Sequence, residues 1–196
     1  MIVIGLTGIS GSGKGYVCSL FGEYGIPSID TDNIVHNLYI ENTECINRLV
    51  GRFGVRILSK DGTVNRKALG EIVFGDSYSL KDLNEIVHAF TLDMVDRLVS
   101  DYSDKDAKAV IVDAPQLFES GYNQKCNCII SVLSSHQKRI ERICKRDNIS
   151  AEKAELRIKN QHSDSFFTDN SDFVIFNNGE DVKIQVVKII KELGIL

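Results

Sequence analysis

The chain is poor in the features that mark several large classes of protein. Only two prolines occur in 196 residues, and no Pro- or Ser-rich tract, internal repeat or low-complexity segment separates one part from another. Flexible tethering of independent modules is therefore not expected. No apolar run approaches the roughly 18 residues a membrane-spanning helix needs. The N-terminus runs directly into MIVIGLTG, with neither a basic leader nor a small-residue cleavage site, so a cytoplasmic location is expected. Positive charge is not in excess: 23 Lys and Arg face 27 Asp and Glu, a net charge of −4, which disfavours nucleic acid as the partner. Five cysteines (Cys18, Cys45, Cys126, Cys128, Cys144) contain no C-x-x-C pair. Cys126 and Cys128 alternate as one face of a strand would, but no histidine or second pair stands at ligand spacing, so apolar buried thiols are expected.

What remains is an ordinary globular composition, 43% hydrophobic and 26% charged, in a length that fills one α/β core with inserted lobes. Residues 2–6 (IVIGL) form a continuous apolar run, as a central parallel strand covered on both faces requires. Further strands are expected at 26–29, 109–113, 127–133 and 172–176, with helices between them and a last helix over about 181–193. This alternation predicts a parallel sheet flanked by helices. Residues 34–100 differ, with helical patterns and little strand signal. There Leu80, Leu83, Ile86, Val87, Phe90, Met94 and Leu98 keep a period of three to four, predicting one long helix with that apolar face. The Asp61-Gly62 turn interrupts the segment before it. Near Ser134 a basic helical hairpin begins, with Arg139, Arg142 and Arg146 on one helix face and Ser150 as the N-cap of the second helix.

The strongest chemical signal is GISGSGKG, from Gly8 to Gly15, directly after the first strand. It fits the phosphate-binding pattern G-x-x-x-x-G-K-[ST] except at the last place. Glycines let backbone N–H groups turn inward around an anion, the following helix adds its positive end, and Lys14 supplies a mobile cation for β- and γ-phosphates. Gly15 lacks the hydroxyl that normally helps to hold magnesium, and Tyr16 follows it. Asp30-Thr31-Asp32 closes the second strand, where open parallel sheets bind ligands. Asp32 there suits a general base or a metal-bound water, and either acid suits a helix cap. Asp113 ends AVIVD, the place of a magnesium-binding acid. The arginine stripe offers either guanidinium groups for phosphate oxygens or a solvated helix face. His36 and His136 are expected at the surface.

Together these segments resemble the dephospho-coenzyme A kinase family over nearly the whole chain. The family's L-T-G-G-I-G-S-G-K-S-T loop corresponds to LTGISGSGKGYV (Leu6–Val17), and its D-x-D to Asp30–Asp32. Its substrate-lobe pattern corresponds to Asp61-Gly62, Arg66 through Leu69, and Val73-Phe74. L-N-x-x-x-H is met by Leu83 through His88, with Ala89 in place of a proline. P-L-L-F-E-S-G is met by Pro115 through Gly121 with Gln116 for a leucine, R-x-x-x-R-D by Arg142 through Asp147, and N-x-G by Asn177 to Gly179.

The resemblance implies a P-loop kinase core (residues 1–33, 105–135 and 170–196), a helical acceptor-binding lobe (34–104) and a helical lid (136–169). It implies ATP- and Mg²⁺-dependent phosphorylation of the 3′-hydroxyl of dephospho-coenzyme A. The sequence leaves the oligomeric state open, with a monomer slightly favoured. Carried over by residue, Gly8, Gly11, Ser12, Gly13, Lys14, Gly15 and Tyr16 would bind ATP, with Arg146 and Asn177 beside the nucleotide. Asp32, Lys14 and Arg142 would be catalytic. Asp32, Arg66, His88, Pro115, Leu117 and Glu119 would meet the acceptor, and Asp32 and Asp113 the metal. Two departures leave two other readings beside this leading one. Besides Gly15, the segment HSDSFFTDNSD (162–172) is acidic where the family tends to be basic, as a nucleotide- or coenzyme A-binding protein without transfer would allow. A kinase of another small nucleoside or nucleotide is the third reading.

Overall fold

The computed structural model describes residues 1–179 and 181–196. Two compact units divide the chain: Met1–Ile29 with Val99–Leu196, and Asp30–Leu98.

In the first unit the apolar run becomes β1 (Ile2–Gly8), buried from Ile4 onward. After the glycine loop comes α1 (Lys14–Gly22), and then β2 (Ser28–Asp30). β2 starts two residues later than expected, because Ile26 still belongs to the turn off α1, its N–H bonded to the Phe21 carbonyl at 3.3 Å. Four helices follow: α2 (Thr31–Glu41), α3 (Thr43–Phe53), α4 (Arg66–Val73) and the long α5 (Ser77–Asp104). The chain continues through β3 (Ala109–Asp113), β4 (Cys128–Leu133), α6 (His136–Asp147), α7 (Ala151–Lys159), α8 (Asp164–Asp169), β5 (Phe173–Phe176) and α9 (Val182–Glu192).

The strands order as β2-β3-β1-β4-β5, and β1 lies parallel to both β3 and β4. Leu6 stands opposite Asp113, so the carboxyl ends of the two strands emerge side by side at the glycine loop. One sheet face packs Ile4, Leu6, Ile111, Ile130 and Val132 against Val17, Leu20 and Phe21 of α1 and Val186 and Ile190 of α9. Each such aliphatic side chain removed from water contributes about 1.5–3 kcal/mol, which makes this layer the rigid floor of the loop. On the other face Leu117 and the Cys126 thiol press so closely on Gly5 that a Cβ there would lie 2.8 Å from each.

The second unit is helical, as expected. Its Asp61-Gly62 turn is closed by a single antiparallel bridge between Leu58 and Val64, with Asp61 accepting from the Thr63 N–H and hydroxyl. α5 buries Val87, Thr91 and Val95, a narrower stripe than the sequence period implied. Leu80 is exposed, and Phe90 lies under the Arg48 guanidinium, 5.4 Å from its ring centroid. Between α2 and α5 a cavity of about 340 Å³ is lined by Asn33, Asn37, Leu38, Met94 and Leu98 among others.

Candidate active site

The glycine loop is shaped by what surrounds it. Gly8 has φ +143°, and a Cβ there would sit 2.2 Å from the Val132 carbonyl oxygen of β4. Gly13, the residue before α1, has φ +89°, and a Cβ would come within 2.3 Å of the Asn177 amide nitrogen. Only glycine satisfies both positions. Ser12 is 1% exposed, and its hydroxyl has no hydrogen-bond partner among the described residues. Buried hydroxyls are nearly always hydrogen-bonded, so this one is an exception within the glycine loop.

On the front flank Lys14 Nζ lies 3.9 Å from Asp113 Oδ1, both side chains largely buried. The Cys18 thiol, one helical turn beyond Lys14, lies 3.6 Å from Asp113 Oδ2. Gly15 is exposed, and a Cβ added there would meet nothing within 4 Å. Among the described residues no group of three or more His, Cys, Asp or Glu side chains gathers as a metal cage. Mg²⁺ does not need one: it keeps several waters and is bound by one or two carboxylates together with phosphate oxygens. The single carboxylate of Asp113 at the loop fits that pattern. Tyr16 is 52% exposed.

Behind the loop the three arginines of α6 do not share one environment, and only Arg146 is exposed. Arg139 is 6% exposed and paired with Asp164 at 3.1 Å. Arg142 donates to the Gly11 and Ser12 carbonyls at 3.1 and 3.0 Å and to the Asn177 carbonyl at 3.2 Å. Arg146 grips Asp147, which also receives Arg157. Hydrogen bonding and charge from Arg146, with help from Arg157, hold the Asp147 carboxyl down at about 2. Asn177 is 5% exposed and donates to the Ser12 carbonyl at 2.7 Å. Gln161, at the end of the α6–α7 hairpin, accepts from the Ser10 N–H at 3.0 Å.

In the loop after β3, Glu119 pairs with His162 at 3.2 Å, and His162 stacks on Phe166 with ring centroids 3.9 Å apart. Pro115 is half-buried and accepts from the Thr7 hydroxyl at 3.5 Å. Leu117 is a correction: it is fully buried beneath Gly5, so its side chain serves packing and presents no surface to an acceptor. The acidic segment is also less repellent than its composition suggested, since Asp164 is held by Arg139 and Asp172 accepts from the Ile129 N–H at 2.7 Å. Cys126 and Cys128 do not share a strand face, because Cys126 lies before β4. Burial pushes their thiols up, to about 12 and about 11.

In the second unit Asp30 takes the capping role, accepting from the Asn33 N–H at 3.1 Å. Asp32, in the first turn of α2, is exposed. Arg66 opens α4 with its guanidinium 5.5 Å from the centre of the Tyr39 ring, whose hydroxyl burial raises to about 12 against the opposing charge of Arg66. His88 is half-buried on α5. Sequence reasoning missed Cys18, Ser134 and Asp164. For Asp164 the hint was the near-complete burial of its partner, which spacing alone does not reveal.

A family profile described as CoaE, dephospho-CoA kinase, matches residues 2–183. The chain is 34% identical to the dephospho-CoA kinase of Lactobacillus johnsonii over 193 residues, covering 97% of this chain and 98% of that one. It is 35% identical to the dephospho-CoA kinase of Bacillus cereus over 197 residues, covering 100% and 98%. Among solved structures, the dephospho-CoA kinase of Campylobacter jejuni superposes with a TM-score of 0.72 at 28% identity, covering 99% of this chain and 98% of that one. With the phosphate cradle, the Lys14–Asp113 pair and the parallel sheet already in place, these full-length likenesses assign the chain to the dephospho-CoA kinase family, a family of phosphotransferases.

Proposed function

We propose that the chain transfers the γ-phosphoryl group of ATP to the ribose 3′-hydroxyl of dephospho-coenzyme A, releasing ADP and coenzyme A. The observation that carries this reading is the glycine cradle at the end of β1, with Lys14 beside Asp113 and the buried Ser12 hydroxyl left unsatisfied. Lys14 neutralises charge on the β- and γ-phosphates while the loop N–H groups orient them. Asp32 is the base that accepts the proton of the 3′-hydroxyl. Its support is its exposed place in the first turn of α2, the capping duty having gone to Asp30.

Mg²⁺ is part of the proposal. Asp113 would hold it, with Asp32 the other candidate carboxylate, and when bound it would neutralise phosphoryl oxygens. The missing hydroxyl at Gly15 is one ligand that a water replaces. Residues 34–104 serve as the acceptor lobe, with Arg66 and His88, and Pro115 and Glu119 contribute from the loop after β3. Residues 136–169 form the lid, and Arg146 lies toward the nucleotide. A cytoplasmic location belongs to the same reading, since ATP is the donor.

The test is product identification. Purified protein with ATP, Mg²⁺ and dephospho-coenzyme A is expected to yield a product one phosphoryl group heavier, whose new ³¹P resonance is that of a 3′-phosphomonoester. Calorimetry showing tight ATP binding, with no such product formed, would instead establish a protein that binds nucleotide without transfer. A product only with other nucleosides would reassign the acceptor.

A further inference from the structure

Arg142 of α6 reaches the loop from behind. Its Nη1 faces the Gly11 carbonyl (3.1 Å), the Ser12 carbonyl (3.0 Å) and the Ser134 hydroxyl (3.3 Å). Its Nη2 faces both oxygens of Asn177, at 3.2 and 3.4 Å. Asn177 in turn donates from Nδ2 to the Ser12 carbonyl at 2.7 Å, and the Ser134 hydroxyl donates to the Asn177 carbonyl at 2.9 Å. Two side chains, from α6 and the end of β5, thus meet at the Ser12 carbonyl, and Ser134 at the end of β4 bonds to both residues that carry them.

A peptide unit is planar, so its carbonyl and its N–H point in opposite directions. With the Ser12 carbonyl held from behind by a cation and an amide, the Gly13 N–H of the same peptide is aimed the other way, into the cradle. Donation to the carbonyl, especially from a charged group, also polarises the peptide and strengthens its N–H as a donor. The four N–H bonds of the two terminal guanidinium nitrogens are matched by five acceptors, so both terminal nitrogens are committed to the loop and to the residues bracing it.

We infer that Arg142 is a positioning residue: together with Asn177 it clamps the phosphate loop from behind and sets the direction of the Gly13 N–H, and it does not touch the transferred group. This rests on the reading that the loop binds ATP, and it changes the role expected for Arg142 from catalysis to the geometry of nucleotide binding.

The experiment measures ATP affinity by calorimetry without acceptor, and kcat separately at saturating ATP. Arg142→Ala is expected to weaken ATP binding by about tenfold or more while kcat stays within about threefold. Arg142→Lys should recover little of the affinity, because an ammonium cannot bridge three backbone carbonyls and an amide. Asn177→Ala should cause a similar loss. The double variant should be no weaker than the worse single one, since both remove the same clamp. Should Arg142→Ala not fold, Ser134→Ala removes one member from the edge of the clamp and is expected to weaken ATP binding about two- to threefold at unchanged kcat. ATP affinity within twofold of the parent with a collapsed kcat would overturn the inference, as would losses that multiply in the double variant. Because ATP binding is read without acceptor, absence of dephospho-coenzyme A turnover would sink the proposed function and leave the affinity comparison, with its double-variant test, intact.

Discussion

The two flanks of the phosphate loop are built differently. Behind it, Arg142 and Asn177 hold the Gly11 and Ser12 carbonyls, and Ser134 bonds to both residues in a network that is buried or half-buried throughout. In front, Lys14 and Asp113 stand 3.9 Å apart, Cys18 touches the same carboxylate, and Gly15 opens onto empty space. On the proposed reading the back flank sets the direction of backbone donors before a nucleotide arrives, and the front flank handles charge that a phosphate chain and its waters help to supply. The missing hydroxyl at Gly15 then falls on the side where substitutes exist.

That contrast can be broken most severely at Lys14. Lys14→Ala removes the cation while leaving the cradle, and turnover is expected to fall by about 10²–10³-fold at saturating ATP, read in a coupled assay. Gly13→Ala attacks the back flank instead: at φ +89°, with a Cβ 2.3 Å from the Asn177 amide, the loop must shift. A loss of about 1–3 kcal/mol in unfolding free energy, with ATP binding weakened, is expected from denaturant titration and calorimetry. A Gly13→Ala protein with unchanged ATP affinity would show that the close packing on Asn177 is irrelevant to the cradle.

Gly15→Ser restores the hydroxyl where nothing obstructs it. Thermal stability should not change, and half-maximal activity should need about two- to fivefold less Mg²⁺, a modest gain because waters already serve. An unchanged metal titration would mean residue 15 has no part in holding the ion. The smallest effect lies at Asp147. Its carboxyl, held at about 2 by Arg146 and Arg157, is depressed relative to its value of about 3.9 in an unfolded chain. Its contribution to stability is thus fully present above about pH 4 and disappears as pH falls through about 2. NMR titration should place the midpoint near the lower value, and Asp147→Asn should flatten that part of the acid-stability curve only slightly, because the pair is exposed.

Much of the front flank was legible in the sequence because its signals are local. The apolar run of β1, the glycine spacing, Lys14 and the acid ending β3 each lie within a few residues of the pattern that gives them meaning. Either of Asp30 and Asp32 suited the helix cap at that level, and the hydrogen bond from the Asn33 N–H shows that Asp30 is the one that caps α2. The back flank was not legible. The acceptors of Arg142 lie 131, 130 and 35 residues away, so its helix spacing spoke only of a shared face with Arg139 and Arg146. The structure gives those three arginines three different partners. α5 illustrates the same limit: its period identified a helix, yet which side is buried depends on what packs against it, and Val87, Thr91 and Val95 took that place.

The most direct measurement is a coupled ADP-release assay on the purified chain, with dephospho-coenzyme A and Mg²⁺ each titrated. ADP release that requires both, and saturates in both, is the predicted result. ATP that binds yet yields no ADP at any Mg²⁺ concentration when dephospho-coenzyme A is added would contradict it.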